Sequence, residues 1–130
     1  SLQPGHGFEF LGYRFEEGRR YVRSKSLKKF KDKIRLKTRR TRGDSVEQII
    51  SDLNPAIKGW FGYFKHAHHY TFNSLDGFIR RRLRAVLRKQ QKRPGSGRTA
   101  KDHRLWPNAF FAERGLFTMR KAYILARQSR

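Results

Sequence analysis

The chain has 130 residues and no cysteine, and its 32 Lys and Arg residues against 10 Asp and Glu give a formal net charge of +22. The length fits one domain or part of a larger protein, the lack of cysteine excludes disulfides and thiolate metal sites, and no apolar run is long enough to cross a bilayer. Because so much like charge opposes compaction, we expect a polyanionic partner, with nucleic acid ahead of an anionic membrane surface.

The N-terminal residues predict a β-hairpin. Residues 8–15 alternate partly with a period of two, Glu16-Glu17-Gly18 suits a turn, and residues 19–22 would form the returning strand. Since a lone hairpin is only marginally stable, it either packs on the helices of this chain or belongs to a sheet whose other strands lie elsewhere. The start at Ser1 in place of a methionine favours the second alternative and a piece of a longer protein.

Residues 26–37 predict a first, strongly basic helix. Leu27, Phe30 and Ile34 form a narrow apolar stripe, whereas Lys and Arg fill most other positions and Asp32 is the one acid. A loop at 41–44 follows this helix. Ser45 with Gln48, or Asp44 with Glu47, then forms a capping box for the next helix.

The most apolar stretch, residues 53–65, predicts a central packing helix. Asn54-Pro55 is expected to end one helix and begin another, because proline lacks an amide proton. Gly59 and Gly62 are expected to let another backbone approach closely, since glycine otherwise destabilises a helix. The side chains expected to hold the core recur at helical spacing: Ile57, Trp60, Phe61 and Phe64.

A third long helix is predicted to start at Asn73, with Asp76 in its first turn, and to stop at Pro94. Its predicted outer face carries Arg80, Arg81, Arg82, Arg84, Arg88 and Lys89. A flexible linker is predicted next, and then an aromatic tail in which Asn108 caps a short helix and Thr118 begins an amphipathic turn. The predicted fold is mainly α: a three-helix bundle preceded by a short β-hairpin, with a short helical C-terminal segment. Its predicted divisions are the hairpin at 1–24, the bundle at 25–93, the linker at 94–104 and the tail at 105–130.

Two basic helical tracts, 23–42 and 80–93, predict the binding surface. Charge runs are usually only solvated faces, but the near absence of acids from both tracts favours phosphate binding that is strong, salt-sensitive and independent of sequence. Charge alone does not separate RNA from DNA. Tyr63 and Tyr70 are candidates for stacking on unpaired bases, with a place in the core as the alternative. The predicted phosphate contacts are Lys28, Lys29, Lys31, Arg35, Lys37, Arg80, Arg81, Arg84 and Arg88.

Catalytic and metal-binding patterns are not found in this sequence. His66, His68 and His69 lack the further ligands that a zinc site needs, and phosphate contact or helix capping is the better interpretation. No pair of carboxylates is placed for two-metal chemistry, and no phosphate-binding loop is present. We therefore expect no catalytic residue, metal, cofactor or small-molecule substrate in this chain.

Several motifs resemble those of group II intron reverse transcriptases. Residues 7–13, Gly-Phe-Glu-Phe-Leu-Gly-Tyr, resemble the last segment of their palm. Leu53-Asn54-Pro55, with Gly59-Trp60 and Tyr63-Phe64, is similar to the core motif of their maturase-specific thumb, or X, domain. The tail at 106–117, with Trp-Pro-Asn and Gly-Leu-Phe, resembles the bacterial form of that family.

This resemblance implies a mainly helical thumb that follows the palm and carries binding without chemistry. The parent protein would copy RNA into DNA and help its intron RNA to splice, using Mg²⁺ and a Tyr-Ala-Asp-Asp motif that this chain lacks. The implied partners are intron RNA, the RNA/DNA template–primer duplex, and the palm and fingers of the parent chain. The implied location is the bacterial cytoplasm, close to the nucleoid.

Two other classes of protein are alternatives. One is a stand-alone architectural RNA- or DNA-binding protein, which would bury its hairpin fully where a fragment would leave a sheet edge or a loose arm. The other is a small nuclease, which would require clustered acidic or histidine side chains and Mg²⁺.

Overall fold

The computed structural model describes residues 12–92 and 99–128. The fold is mainly α with an N-terminal β-hairpin, as predicted. Its elements are β1 (Tyr13–Glu16), β2 (Arg19–Val22), α1 (Ser24–Lys37), α2 (Val46–Phe64), α3 (His69–Gln90), α4 (Ala100–Leu105), α5 (Asn108–Glu113) and α6 (Met119–Gln128). The predictions for residues 1–11 and 93–98 lie outside the described residues.

The hairpin packs on the helices, which is one of the two alternatives considered above. β1 and β2 pair antiparallel from Tyr13 opposite Val22 to Glu16 opposite Arg19. Both residues of the connecting turn, Glu17 and Gly18, have positive φ, which matches the twist of a tight hairpin. The side chains of Tyr13 and Val22 are buried in the helical core, so the hairpin is anchored at the end nearest α1.

The predicted apolar stripes of the first three helices meet in one core. Ser45 begins α2 as predicted, since its hydroxyl accepts a hydrogen bond from the backbone N–H of Gln48 at 3.2 Å. The buried side chains that α1, α2 and α3 contribute include Phe30, Ile34, Ile49, Ile50, Leu53, Ile57, Leu75, Ile79 and Leu83.

Two predictions about α2 are wrong. The helix runs unbroken through Asn54 and Pro55, because proline removes only one N–H and the buried residues on both sides hold the helix together. Gly59 and Gly62 are exposed, and a Cβ atom built on either would meet nothing within 4 Å in residues 12–92 and 99–128, so no backbone of that part of the chain approaches there.

The start of α3 also differs from the prediction. The helix begins at His69, four residues before Asn73, and the side chain of His68 accepts from the N–H of Tyr70. Asp76 is buried within α3, and its two carboxylate oxygens accept from the N–H groups of Met119 and Arg120, both at 2.9 Å. Asp76 therefore caps the N-terminal end of α6 rather than that of α3.

The C-terminal segment packs on the bundle. Helix α4 takes in residues 100–104, which were predicted as part of the linker, and Leu105, the first residue of the predicted tail. Thr99 and Asp102 make a reciprocal capping box at its start. Further along the chain, Trp106, Phe111 and Met119 are buried in the same core as α1–α3. The C-terminal segment therefore covers one side of α3.

Candidate nucleic-acid interface

Helix α1 presents the α1 basic face, which we define as Lys28, Lys29, Lys31, Lys33, Arg35 and Lys37. Its apolar positions Phe30 and Ile34 are buried, so these cations surround the outer side of the helix. Lys28, Lys29, Lys33 and Arg35 are exposed, whereas Lys31 and Lys37 are half-buried.

Asp32 offsets part of the charge on this face. Its carboxylate accepts from Lys28 Nζ at 2.7 Å and from Arg35 Nη1 at 2.8 Å. The bond from Lys28, more than that from Arg35, lowers the pKa of Asp32. Exposed pairs of this kind stabilise a fold very little, so both cations remain available to an anionic partner.

The α1 basic face meets helix α3 along a seam of cations and one aromatic ring. Lys31 Nζ lies 5.5 Å, and the guanidinium carbon of Arg35 lies 5.1 Å, from the ring centre of Phe78. One turn further along α3, Arg82 donates to the hydroxyl of Thr38 at 3.0 Å and to the carbonyl of Thr38 at 3.1 Å. Arg82 thus caps the C-terminal end of α1, where the helix dipole favours a cation.

The assignment of Arg84 and Arg88 to the outer face of α3 is wrong. Arg84 is 2% exposed, and it donates from Nε to the carbonyl of Trp106 at 2.8 Å and from Nη2 to Asn108 Oδ1 at 3.0 Å. Arg88 is also buried and pairs with the carboxylate of Asp102. Both arginines hold the C-terminal segment against α3, because α4 and α5 cover the face that periodicity alone assigns to solvent.

Arg80 and Arg81 lie on the same side of α3 but nearer to solvent. Both are half-buried and line an open cleft of about 480 Å³ between α3 and the α4–α5 segment. Burial lowers the pKa of Arg80, the charge of Asp76 offsets part of this effect, and the neighbouring Arg81 lowers the pKa further.

The predicted stacking residues Tyr63 and Tyr70 are on the surface, at 58% and 66% exposure. The ring of Tyr70 lies 4.9 Å from that of His68, which in turn lies 5.6 Å from the ring of Tyr21. Burial, and then the charges of His69 and Arg19, lower the pKa of His68. The structure thus groups Tyr21, His68, His69 and Tyr70 into an aromatic patch, which the sequence did not indicate because β2 and the start of α3 are far apart in the chain.

The residues predicted to hold the core lie at two depths. Ile57 and Phe64 are buried, whereas Trp60 and Phe61 are half-buried and pack against the core from its edge. Trp60 stacks on Phe30 with a centroid distance of 4.7 Å, which joins α2 to α1.

Two further observations concern the described residues, 12–92 and 99–128. Within them, no three His, Asp or Glu side chains come together in a way that would hold a metal ion. In the same residues, no helix combines the length and the apolar character needed to span a membrane.

By its fold and surface, this is a small basic helical domain whose exposed cations suit a polyanionic partner. Residues 27–106, more than half of the chain, match the family described as "Group II intron, maturase-specific domain". The chain therefore belongs to the group II intron maturase-specific domain family, as the sequence motifs predicted. A search of curated protein sequences found no match. Membership gives the chain a role in group II intron splicing and, in general terms, an interaction with intron RNA.

Proposed function

We propose that this chain is the RNA-binding thumb, or X, domain of a bacterial group II intron reverse transcriptase. In this role the domain grips intron RNA and the template–primer duplex through phosphate contacts, and so supports splicing and reverse transcription. The observation that carries the proposal is the α1 basic face, a helix surface whose cations project away from a packed core and are offset by one carboxylate, Asp32.

The chemistry of this face suits a duplex that slides. Contacts to phosphates position a nucleic acid without reading its sequence, and a thumb must hold every sequence that passes through it. A-form duplexes are recognised mainly through their shape, phosphates and 2′-hydroxyl groups, which cations on a rigid helix are able to contact. Arg82 and Phe78 support this face because they tie α1 to α3. Exposed Tyr63 and Tyr70 are proposed to stack on unpaired bases at the edge of the bound RNA.

The parent protein supplies the rest of this proposed function. The hairpin of β1 and β2 would be the end of the palm, with the remaining palm and the fingers as neighbours in the parent chain. RNA-directed DNA synthesis would take place on that palm, where Mg²⁺ would be the cofactor. Such a protein would work in the cytoplasm, close to the nucleoid.

A binding experiment with a matched control tests the α1 basic face. Replacing three exposed lysines (Lys28→Gln, Lys29→Gln and Lys33→Gln) should weaken binding to a structured group II intron RNA and lower its salt dependence by about one unit of slope per lost contact. The control removes the same charge elsewhere, through Lys58→Gln, Lys101→Gln and Lys121→Gln, which are also exposed. The control should lose much less affinity.

The salt dependence of the unmodified chain is a second readout. If about 6–10 phosphates are contacted, affinity should fall about 10³–10⁵-fold between about 50 and 200 mM salt. A flat salt profile, or equal losses in the two triple variants, would contradict the proposal.

A further inference from the structure

The cleft between α3 and the α4–α5 segment is a strongly cationic concavity among the described residues. It is lined by Gly77, Arg80, Arg81, Arg84, His103 and Asn108. None of these lining residues is acidic, so three guanidinium groups share the cleft without a carboxylate on its walls. Its volume of about 480 Å³ lies within the range of small-ligand sites.

Arg84 is the fixed element of this cleft. Its side chain is buried, its guanidinium lies 5.3 Å from the ring centre of Phe111, and its hydrogen bonds to Trp106 and Asn108 hold Nε and Nη2 in place. These acceptors are a carbonyl and an amide oxygen, which carry no charge. Among the described residues, Nη1 makes no hydrogen bond, and the nearby carboxylate of Asp102 is held by Arg88.

A buried cation whose hydrogen-bond acceptors are all neutral is costly, because water has been removed and no opposite charge is in direct contact with it. Burial lowers the pKa of Arg84, the charges of Arg80 and Arg81 lower it further, and the charge of Asp102 offsets only part of this effect. The repulsion among the three arginines therefore persists in the unliganded domain. An anion in the cleft would relieve it.

The side chain of Arg81 packs against α3 beside Gly77. A Cβ atom built on Gly77 would lie 3.3 Å from Arg81 Nη1, so the guanidinium lies against the helix at the residue that lacks a side chain. The pKa of Arg80, one residue earlier, is lowered by burial, raised by the charge of Asp76 and lowered by that of Arg81. The two carboxylate oxygens of Asp76 each accept from a backbone N–H group of α6, and the charge of Asp76 offsets only part of the effect of burial on the pKa of Arg80.

We propose that this cleft is a preformed site for a phosphate group of an RNA backbone, separate from the α1 basic face. Guanidinium groups present forked donors that match phosphate oxygens, and Arg84 is already oriented before the phosphate arrives. Because Arg84 is buried, its contact with a phosphate is screened by salt less than contacts on the exposed face of α1. The identity of the phosphate carrier as RNA rests on the proposed function. The anion site itself rests on the cleft alone.

Binding of inorganic phosphate at constant ionic strength tests the site directly. The side-chain Nε–H resonance of Arg84 in an isotope-labelled chain should shift and saturate as phosphate replaces chloride. The variant Arg80→Gln with Arg81→Gln should lose the saturable shift, whereas the control Lys58→Gln with Lys121→Gln, which removes equal charge outside the cleft, should keep it. Melting temperatures compared for all chains show that the fold is intact.

The second arm uses an RNA duplex of about 16 base pairs, long enough for a protein to span two minor grooves. The cleft variant should bind it about 10-fold or more weakly, with a salt slope lower by about 2 units. No saturable phosphate shift in the wild type, or an equal shift in the cleft variant, would overturn the site. A phosphate shift with unchanged duplex affinity in the cleft variant would overturn RNA as the carrier.

The two proposals are distinguishable in this experiment. If the Lys28, Lys29 and Lys33 triple variant binds the duplex normally while the cleft variant does not, the α1 basic face fails and the cleft is supported. If the triple variant is weak while the cleft variant binds the duplex normally, the α1 basic face is supported and the cleft does not contact RNA.

Discussion

Arg88 and Asp102 form a buried ion pair in which Nη1 of the arginine donates to both carboxylate oxygens, at 2.7 and 2.8 Å. Thr99 donates its backbone N–H and its hydroxyl to the same carboxylate, at 3.0 and 2.7 Å. Burial alone would raise the pKa of Asp102, but the hydrogen bonds from Arg88 and Thr99 outweigh it and lower the pKa to about 2. This pair fastens α4 to α3.

Removing the acid of this pair should be strongly destabilising. Asp102→Ala leaves the guanidinium of Arg88 buried without its anion, and we expect a loss of about 3–5 kcal/mol in the free energy of unfolding, measured with urea. Asp32→Ala is the control, because Asp32 makes its ion pairs on the exposed face of α1 and should not move the urea midpoint. Equal shifts in both variants would contradict the buried role of Asp102.

The lowered pKa of Asp102 should also affect how the free energy of unfolding changes as the pH falls. Because the pKa of Asp102 is lowered on folding, its contribution is fully present above its unfolded value of about 3.9 and is lost as the pH falls through about 2. The stability difference between the wild type and Asp102→Asn should therefore shrink between about pH 4 and pH 2. A difference that stays constant over this range, in urea unfolding at each pH, would mean that Asp102 is not ionised in the fold.

Asp76 should hold the first turn of α6. Asp76→Ala would leave the N–H groups of Met119 and Arg120 without their acceptors, at a cost of about 1–3 kcal/mol for each group that stays buried. Amide hydrogen exchange should accelerate at the start of α6 and change little in α2, and Asp76→Asn, which keeps one acceptor, should lie between. Uniform acceleration through the core would instead show that Asp76 supports the whole bundle.

Replacing three glycines one at a time with alanine should change the stability in different directions. Gly59→Ala and Gly62→Ala should each raise the stability by up to about 1 kcal/mol, because both sites are helical, exposed and open to a Cβ atom. Gly12→Ala should lower it, since φ there is +86° and the new Cβ would lie 3.0 Å from Phe64 Cε1. Thermal unfolding of the three variants measures this. A less stable Gly59→Ala chain would show that the site is not open.

Substitutions of Ile57 and Tyr63, both in α2, should have different effects: the first should lower stability and the second should lower RNA affinity. Ile57 is 0% exposed, so Ile57→Ala should cost about 2–5 kcal/mol in urea unfolding. Tyr63→Ala should change stability by no more than about 0.5 kcal/mol but lower the affinity for single-stranded RNA, by about 1–3 kcal/mol if the ring stacks on a base. Unchanged RNA affinity in Tyr63→Ala would remove Tyr63 from the interface.

The parts of the fold that could be predicted are those set by local periodicity. Phe30 with Ile34, and Ile57 with Phe64, recur at helical spacing, and each pair is buried where the pattern placed it. The path of α2 through Pro55 was missed because a helix tolerates one lost N–H when the core residues around it stay packed.

The candidate site was predictable only where no later element covers it. The cations of α1 remain on the surface, but Arg84 and Arg88 are covered by elements that follow α3 in the chain. Helical periodicity shows which residues share a face, but it does not show what packs on that face. The available indication in the sequence was that Asp102 lies 14 positions after Arg88 and that Asn108 lies 24 positions after Arg84. One acid in a basic segment does not show which cation it pairs with.

The hydrogen bonds of the Asn54 side chain determine how long the chain must be to unfold as one cooperative unit. This side chain donates to the carbonyl of Gly115 and accepts from the N–H of Phe117, both at 2.9 Å, so the centre of α2 is tied to a turn beyond the family match, which ends at residue 106. A recombinant domain excised at that boundary would lose these partners, together with Asn108 and the α6 amides that Asp76 binds. Expression boundaries placed after residue 128, beyond the end of α6, should therefore preserve one unfolding transition, whereas shorter ones should broaden it.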